Sequence, residues 1–181
     1  MKREKTLKYE KFTIKESDYN FLSELESKSE LLLKKKHRII ILVTGKPGCG
    51  KSTFGKFVRK KGFGNFSPSE ISVIDDDVMS REHLFGLIRT KMKSPSSTPD
   101  NLAPFLKLLP KRKKIIFYIN SFPGKRIDKA DIVLVLHTDE EAREKRLLKR
   151  VGESQNFDNL LTSDYDISTI KYTYKVFGCT R

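Results

Sequence analysis

Residues 38–53 read RIIILVTGKPGCGKST. After Arg38 comes an unbroken, mostly β-branched run that ends at Thr44, a pattern typical of a parallel strand buried on both faces. A glycine-rich loop follows, and the segment from Ser52 to Lys60 predicts a helix that closes near Gly62. A buried strand, a glycine loop and a helix in this order predict the first unit of a parallel α/β sheet.

The loop at 45–52 matches the P-loop pattern Gly-x-x-x-x-Gly-Lys-Ser in full. Its glycines admit backbone conformations that other residues avoid, so successive N–H groups can surround a phosphate. The helix dipole points at the same place, Lys51 adds a full positive charge, and the hydroxyl of Ser52 can ligate Mg²⁺. We therefore predict a site for ATP or GTP. The predicted nucleotide-binding residues are Gly45, Lys46, Pro47, Gly48, Cys49, Gly50, Lys51, Ser52 and Thr53.

The composition limits the classes of protein to which the chain can belong. The chain has 181 residues, of which 37% are hydrophobic and 33% charged, a balance expected of one folded domain. No apolar run approaches the roughly 20 residues that cross a bilayer, and the start lacks a signal-peptide pattern. The two cysteines show no metal-ligand or disulfide spacing. These features predict a soluble, intracellular (cytoplasmic) protein without a membrane span.

The formal net charge of +14 would attract nucleic acid, nucleotides or anionic membranes. Residues 1–44 carry +4, 45–74 carry +5, 75–110 are neutral, 111–114 carry +4 and 115–181 carry +1. A lysine-rich proteome and a phosphate-handling surface would both give such a spread. The charge therefore leaves nucleic acid open as a partner without naming it.

The rest of the chain alternates between strand and helix patterns. Further strands are predicted at 71–74, 114–119, 132–136 and 169–177, with helices at 78–92, 102–109 and 139–150. Thr138 and Glu141 form a capping box for the last helix. This order predicts a three-layer αβα fold with a mostly parallel sheet of about five strands. We expect an N-terminal extension at 1–37, with a helix that starts after Ser17, and one domain at 38–181.

Several stretches resemble a known family. The loop, written Gly-x-Pro-Gly-x-Gly-Lys-Ser-Thr at 45–53, resembles the nucleoside/nucleotide kinase branch of P-loop proteins. Residues 119–124 are similar to the Asp-Gly-Phe-Pro-Arg turn of adenylate kinases, and 132–150 to the strand and the Glu-x₅-Arg-x₃-Arg helix that begins their lid. The resemblance implies that Arg146 lies against the adenine and Arg150 on the phosphates. Asn120 stands where that family has an aspartate that holds Mg²⁺ through water.

A run of three carboxylates, Asp75-Asp76-Asp77, follows the second strand. Its Asp-x-Asp form resembles kinases that phosphorylate hydroxyls, such as shikimate, gluconate and polynucleotide kinases. A carboxylate here can accept the proton of a hydroxyl acceptor, and a neighbour can help to hold Mg²⁺. We rank Asp77 before Asp75 as the base and expect Arg81, one helical turn beyond Asp77, to orient the acceptor.

The predicted activity is transfer of the γ-phosphate of ATP, with Mg²⁺, to a hydroxyl of a small molecule or nucleoside. The acceptor is expected to lie against residues 78–113, which end in the basic run 111–114. Three alternatives stay open: a polynucleotide 5′-hydroxyl kinase, a nucleoside monophosphate kinase and a catalytically degenerate nucleotide-binding module. The predicted catalytic residues are Lys51, Asp77, Asp75, Arg146 and Arg150, and the predicted metal ligands are Ser52, Asp75 and Asn120.

Overall fold

Five parallel strands form the main sheet, in the spatial order β2-β5-β1-β6-β7. The structure, a computed structural model, describes residues 19–75, 80–83, 88–91, 106–107, 109–152 and 155–180. The sheet strands are β1 (Ile39–Thr44), β2 (Ile71–Asp75), β5 (Ile115–Ile119), β6 (Ile132–His137) and β7 (Tyr174–Cys179). The helices are α1 (Tyr19–Leu33), α2 (Lys51–Lys61), α3 (Glu140–Val151) and α4 (Gln155–Thr162). The fold is the predicted three-layer αβα fold of P-loop NTPases.

The central strand β1 lies between β5 and β6 and pairs with both in parallel register. All five residues of β5 are buried, as are five of the six in β6, which explains their nearly continuous apolar sequences. The chain leaves β1 toward one side of the sheet and later adds β6 on the other side. This change of direction opens a crevice at the carboxyl end of β1, where ligands bind in α/β sheets.

Helices α1 and α2 share the larger of the two apolar cores with one face of the sheet. Phe21, Leu25 and Leu32 of α1 are buried there, and α1 packs against β7, β1 and β6. Phe54 and Val58 of α2 belong to the same core. The predicted packing of an N-terminal helix on the main body is therefore confirmed, although Ser17 lies outside the described residues. Within the described part of the chain, every helix is too short or too polar to span a bilayer.

Two local predictions are wrong. Instead of a helix over 78–92, Ser80–His83 (β3) and Ile88–Lys91 (β4) pair as antiparallel strands. The β-branched residues Ile88 and Thr90 favour strands, and cross-strand pairing satisfies backbone groups that a helix would have satisfied internally. The cap of α3 is Asp139 rather than Thr138, because the Asp139 carboxylate accepts the Ala142 N–H at 2.8 Å.

The tail differs from its prediction in two ways. The last strand occupies Tyr174–Cys179 rather than 169–177, and α4 was not predicted at all. The predicted helix at 102–109 falls largely outside the described residues. The helix expected at 139–150 is confirmed as α3, and the helix after the loop is confirmed as α2, with Gly62 at its C-cap.

Candidate functional site

A cavity of about 660 Å³ opens at the carboxyl end of β1. Its walls come from the P-loop, the turn after β5, α3 and α4, so residues far apart in the sequence meet at one place. The lining residues are Pro47, Gly48, Gly50, Lys51, Ser52, Thr53, Ile119, Asn120, Ser121, Phe122, Arg146, Leu147, Arg150, Leu160 and Ser163. A cavity of this size falls within the range of small-molecule sites, about 300–1,000 Å³.

Three glycines in the loop take positive φ angles, 138° at Gly45, 85° at Gly48 and 90° at Gly50. At Gly48 the requirement is also steric, because an added Cβ would lie 3.0 Å from Cγ of Arg143 and 3.1 Å from Cγ of Leu147. The loop thus packs directly under α3. Glycine is needed here for the backbone conformation and for the close approach of the helix.

Lys51 folds back over the loop it follows. Its ammonium group donates hydrogen bonds to the carbonyl oxygens of Gly45 at 2.7 Å and Lys46 at 3.0 Å. These contacts hold the charge beside the loop, where a phosphate would bind. Ser52 and Thr53 follow at the start of α2 and also face the cavity.

Arg146 and Arg150 of α3 both line the cavity. Arg146 is half-buried and donates to the carbonyl of Gly48 at 3.3 Å and to the hydroxyl of Thr180 at 3.4 Å. Arg150 is exposed, in the last turn of the helix. The structure therefore brings together the loop and both arginines that the sequence analysis singled out, and both side chains line the same cavity as the P-loop.

A third arginine of α3, Arg143, is only 2% exposed and connects the elements that form the site. Its guanidinium donates to the Glu140 carboxylate, to the carbonyl of Pro47 at 3.2 Å and to the carbonyl of Leu161 at 2.7 Å. It therefore ties α3 to both the P-loop and α4. The hydrogen bond from Arg143 holds the pKa of Glu140 below its ordinary value.

Cys49 is buried within the loop. Burial raises the pKa of its thiol, although the nearby charges of Lys51 and Arg146 lower it in part. The sulfur therefore stays a neutral thiol near neutral pH and has the character of a packing group rather than a nucleophile.

Asp75 is placed by strand pairing. It lies opposite Ile119 in the register of β2 and β5. Val73 and Ile119 both approach Gly55 of α2, where an added Cβ would lie 3.0 Å from Cγ1 of Val73 and would overlap Ile119. Side chains alternate along a strand, so Asp75 shares the face of Val73. Ser52 lies one helical turn before Gly55, and Asp75 therefore lies on the side of the sheet where α2 begins.

Asn120 follows β5 and faces the cavity with its side chain already engaged. Its amide oxygen accepts the Phe122 N–H at 2.7 Å, and its amide nitrogen donates to the Tyr118 hydroxyl at 2.8 Å. The three predicted metal ligands, Ser52, Asp75 and Asn120, all offer oxygen donors, which is the ligand chemistry that Mg²⁺ prefers. Among the described residues, no group of three or more His, Cys, Asp or Glu side chains is placed so that it could hold a metal ion.

The other predicted site residues are placed as follows. Asp77 lies outside the described residues. Arg81 belongs to β3, so the reasoning that put it one helical turn beyond Asp77 is wrong, and its role in orienting an acceptor stays a prediction.

Sequence reasoning missed several residues of the site, and Thr180 is the most informative. This buried residue follows β7, and its hydroxyl donates to the carbonyl of Cys49 at 2.7 Å. Its backbone N–H donates to the carbonyl of His137 at 2.8 Å. The residue that follows β7 is thus hydrogen-bonded to both the P-loop and the end of β6. Also missed were Ser121, Phe122, Leu147, Leu160 and Ser163 of the cavity wall.

Thr180→Val should lower the free energy of unfolding by about 1–3 kcal/mol, because it leaves the buried carbonyl of Cys49 without its donor. It should also weaken nucleotide binding, because the loop loses a fixed support. Thr180→Ser keeps the hydroxyl and should restore both properties. Thermal unfolding and titration with a fluorescent ATP analogue measure the two effects. Equal affinities for the valine and serine variants would show that the hydroxyl does not position the loop.

Residues 41–162 match a family model described as an AAA domain, a P-loop NTPase family that includes kinases. No curated protein and no solved structure matches the chain. The matched region is about two thirds of the 181 residues and contains the P-loop, Asn120 and α3. The chain therefore belongs to this AAA-domain family and is a nucleotide-binding P-loop protein.

Proposed function

We propose that the protein is an ATP-dependent phosphotransferase that moves the γ-phosphate to a hydroxyl of a small molecule or nucleoside. The observation that carries the proposal is the position of Asp75, on the side of the sheet where the P-loop helix begins. A carboxylate beside the donor phosphates can accept the proton of a hydroxyl acceptor. A P-loop and cavity-facing arginines, with such a carboxylate at the end of β2, two strands away from β1, are the parts that phosphoryl transfer requires.

Each group of the site has a proposed task. The loop N–H groups and Lys51 hold the donor phosphates, Arg150 balances their negative charge, and Arg146 lies against the adenine, as the resemblance implies. The acceptor oxygen forms a bond to the γ-phosphorus while the bond to the β–γ bridging oxygen breaks, so ADP leaves. The hydroxyl proton passes to Asp77 or Asp75. Mg²⁺, when bound through Ser52, Asp75 and Asn120, neutralises phosphate charge.

The basic run at 111–114 gives little support to a polynucleotide acceptor at this site. It precedes β5, at the opposite end of the strand from Asn120 and the cavity. Lys113 donates to the carbonyls of Pro68 and Ile71, and Lys114 pairs with Glu70. A 5′-end in the cavity would therefore not lie along this run.

The test is acceptor-dependent release of ADP, screened over nucleosides, sugar and polyol alcohols, and nucleoside monophosphates. Asp75→Asn and Asp77→Asn should each lower kcat about 10²- to 10⁴-fold for the accepted alcohol. Asp128→Asn, an exposed carboxylate at the other end of the sheet, is the matched control.

Unchanged turnover in both variants would refute the carboxylate mechanism. Turnover of monophosphates alone would make the protein a nucleoside monophosphate kinase. ATP binding without transfer to any acceptor would favour a degenerate module.

A further inference from the structure

The amino-terminal edge of the sheet, defined as the five residues that precede each of its five strands, concentrates positive charge. These segments, 34–38, 66–70, 110–114, 127–131 and 169–173, contain ten lysine and arginine residues and three carboxylates. Their surplus of seven positive charges is half of the net charge of +14. The five residues that follow each of β1, β2, β5 and β6 carry one lysine and five carboxylates. Positive charge is therefore concentrated at the edge opposite the end of β1 that opens into the nucleotide cavity.

A second cavity, of about 420 Å³, opens at this edge. Four basic residues line it, Lys36, Arg38, Lys129 and Lys171, against the single carboxylate of Asp131. Lys36 pairs with that carboxylate. The Arg38 guanidinium donates to four neutral backbone carbonyls, and no carboxylate in the described part of the chain forms an ion pair with it.

Lys129 and Lys171 are the groups available to a ligand. Both are exposed, and no carboxylate among the described residues forms an ion pair with either of them. The two residues are also bridge partners, held side by side by backbone hydrogen bonds such as Lys171 N–H to the carbonyl of Asp128 at 2.9 Å. Like charges on facing residues are unfavourable, and a bound anion would relieve that repulsion.

An aromatic ring completes the cavity. Tyr172, next to Lys171, lines it and is 43% exposed. Lysines that can follow a phosphate backbone, beside a ring on which a base can stack, are the combination that binds single-stranded nucleic acid. An anionic membrane would need no concave site, and a base paired within a duplex offers no free face to the ring.

We infer that the amino-terminal edge binds single-stranded nucleic acid, with phosphates on Lys129 and Lys171 and a base against Tyr172. The six residues of β1 separate this edge from the P-loop by about 17–20 Å. The nucleotides in contact with Lys129, Lys171 and Tyr172 would therefore lie outside the nucleotide cavity.

Fluorescence anisotropy with a labelled 12-nucleotide strand, as RNA and as DNA, tests this inference on the full chain. Lys129→Gln/Lys171→Gln should weaken binding about 10- to 30-fold at 0.1 M salt and reduce the slope of log K against log salt by about 1.4. Lys56→Gln/Lys149→Gln removes the same charge from exposed helix positions and should change affinity less than about threefold. Tyr172→Ala should weaken binding about 5- to 150-fold, and Tyr172→Phe should retain it.

Saturating ATP should leave the strand bound, because the two sites are separate. If both double-lysine variants lost the same affinity, binding would depend on net charge alone and the proposed site would be wrong. Displacement of the strand by ATP would also contradict it. Binding of vesicles that contain phosphatidylserine, without binding of either strand, would also overturn it in favour of a membrane surface. Circular dichroism of each variant ensures that affinities are compared between folded proteins.

Discussion

Lys51→Met should lower the rate of ADP formation about 10²- to 10³-fold, because the γ-phosphate loses the cation that follows it through transfer. The fold should persist. In the structure the Lys51 ammonium contacts loop carbonyls, those of Gly45 and Lys46, and methionine retains most of the apolar stem. ADP release under saturating ATP and Mg²⁺ measures the rate, and thermal unfolding measures the stability.

Lys56→Met is the matched control, since Lys56 is exposed and lies five residues further along α2. It should leave the rate within about twofold. A Lys51 variant that turns over ATP as fast as the Lys56 variant would mean that the P-loop binds a nucleotide without taking part in transfer.

The sheet could be predicted from the sequence because its inner strands are buried on both faces. Continuous apolar runs at β1, β5 and β6 identify them without any knowledge of their partners. The P-loop could be predicted for a different reason. Its function depends on adjacent residues whose glycines and lysine act through the local backbone.

Elements that depend on distant partners could not be predicted. Helix α4 has only eight residues, too few to be stable alone, and Arg143 of α3 binds its carbonyl groups at Leu160 and Leu161. Thr180 reaches Cys49 across 131 residues, because β7 pairs in register with β6. Neither contact leaves a pattern in the neighbouring sequence.

The wrong prediction of a helix where β3 and β4 lie has another cause. Between the second strand and the basic run at 111–114 no apolar run is longer than two residues, unlike those of β1, β5 and β6, so the local pattern does not identify strands. The acceptor-binding role proposed for this segment therefore rests on the resemblance and on its length, whereas the donor side of the site rests on described contacts.

Gly45→Ala should be among the most destabilising single substitutions in the protein, at about 3–5 kcal/mol. Gly45 has φ 138°, and an added Cβ would overlap the carbonyl oxygen of Leu136 at the neighbouring strand β6. The obstacle is backbone in a buried strand, which cannot rotate away as a side chain can. Either β6 moves or the loop does, and a displaced loop loses the arrangement of N–H groups that would bind phosphate.

Gly152→Ala separates the two causes of the lost stability, the positive-φ backbone and the close approach to Leu136. Gly152 also has a positive φ, 67°, but an added Cβ would meet no atom of the described residues within 4 Å. Its replacement should cost about 1–3 kcal/mol for the positive-φ backbone alone. Urea denaturation of the two variants gives the difference, which is the contribution of the close approach between the P-loop and β6. Equal losses would mean that the loop can shift away from Leu136, and the Gly45 variant would then still bind ATP.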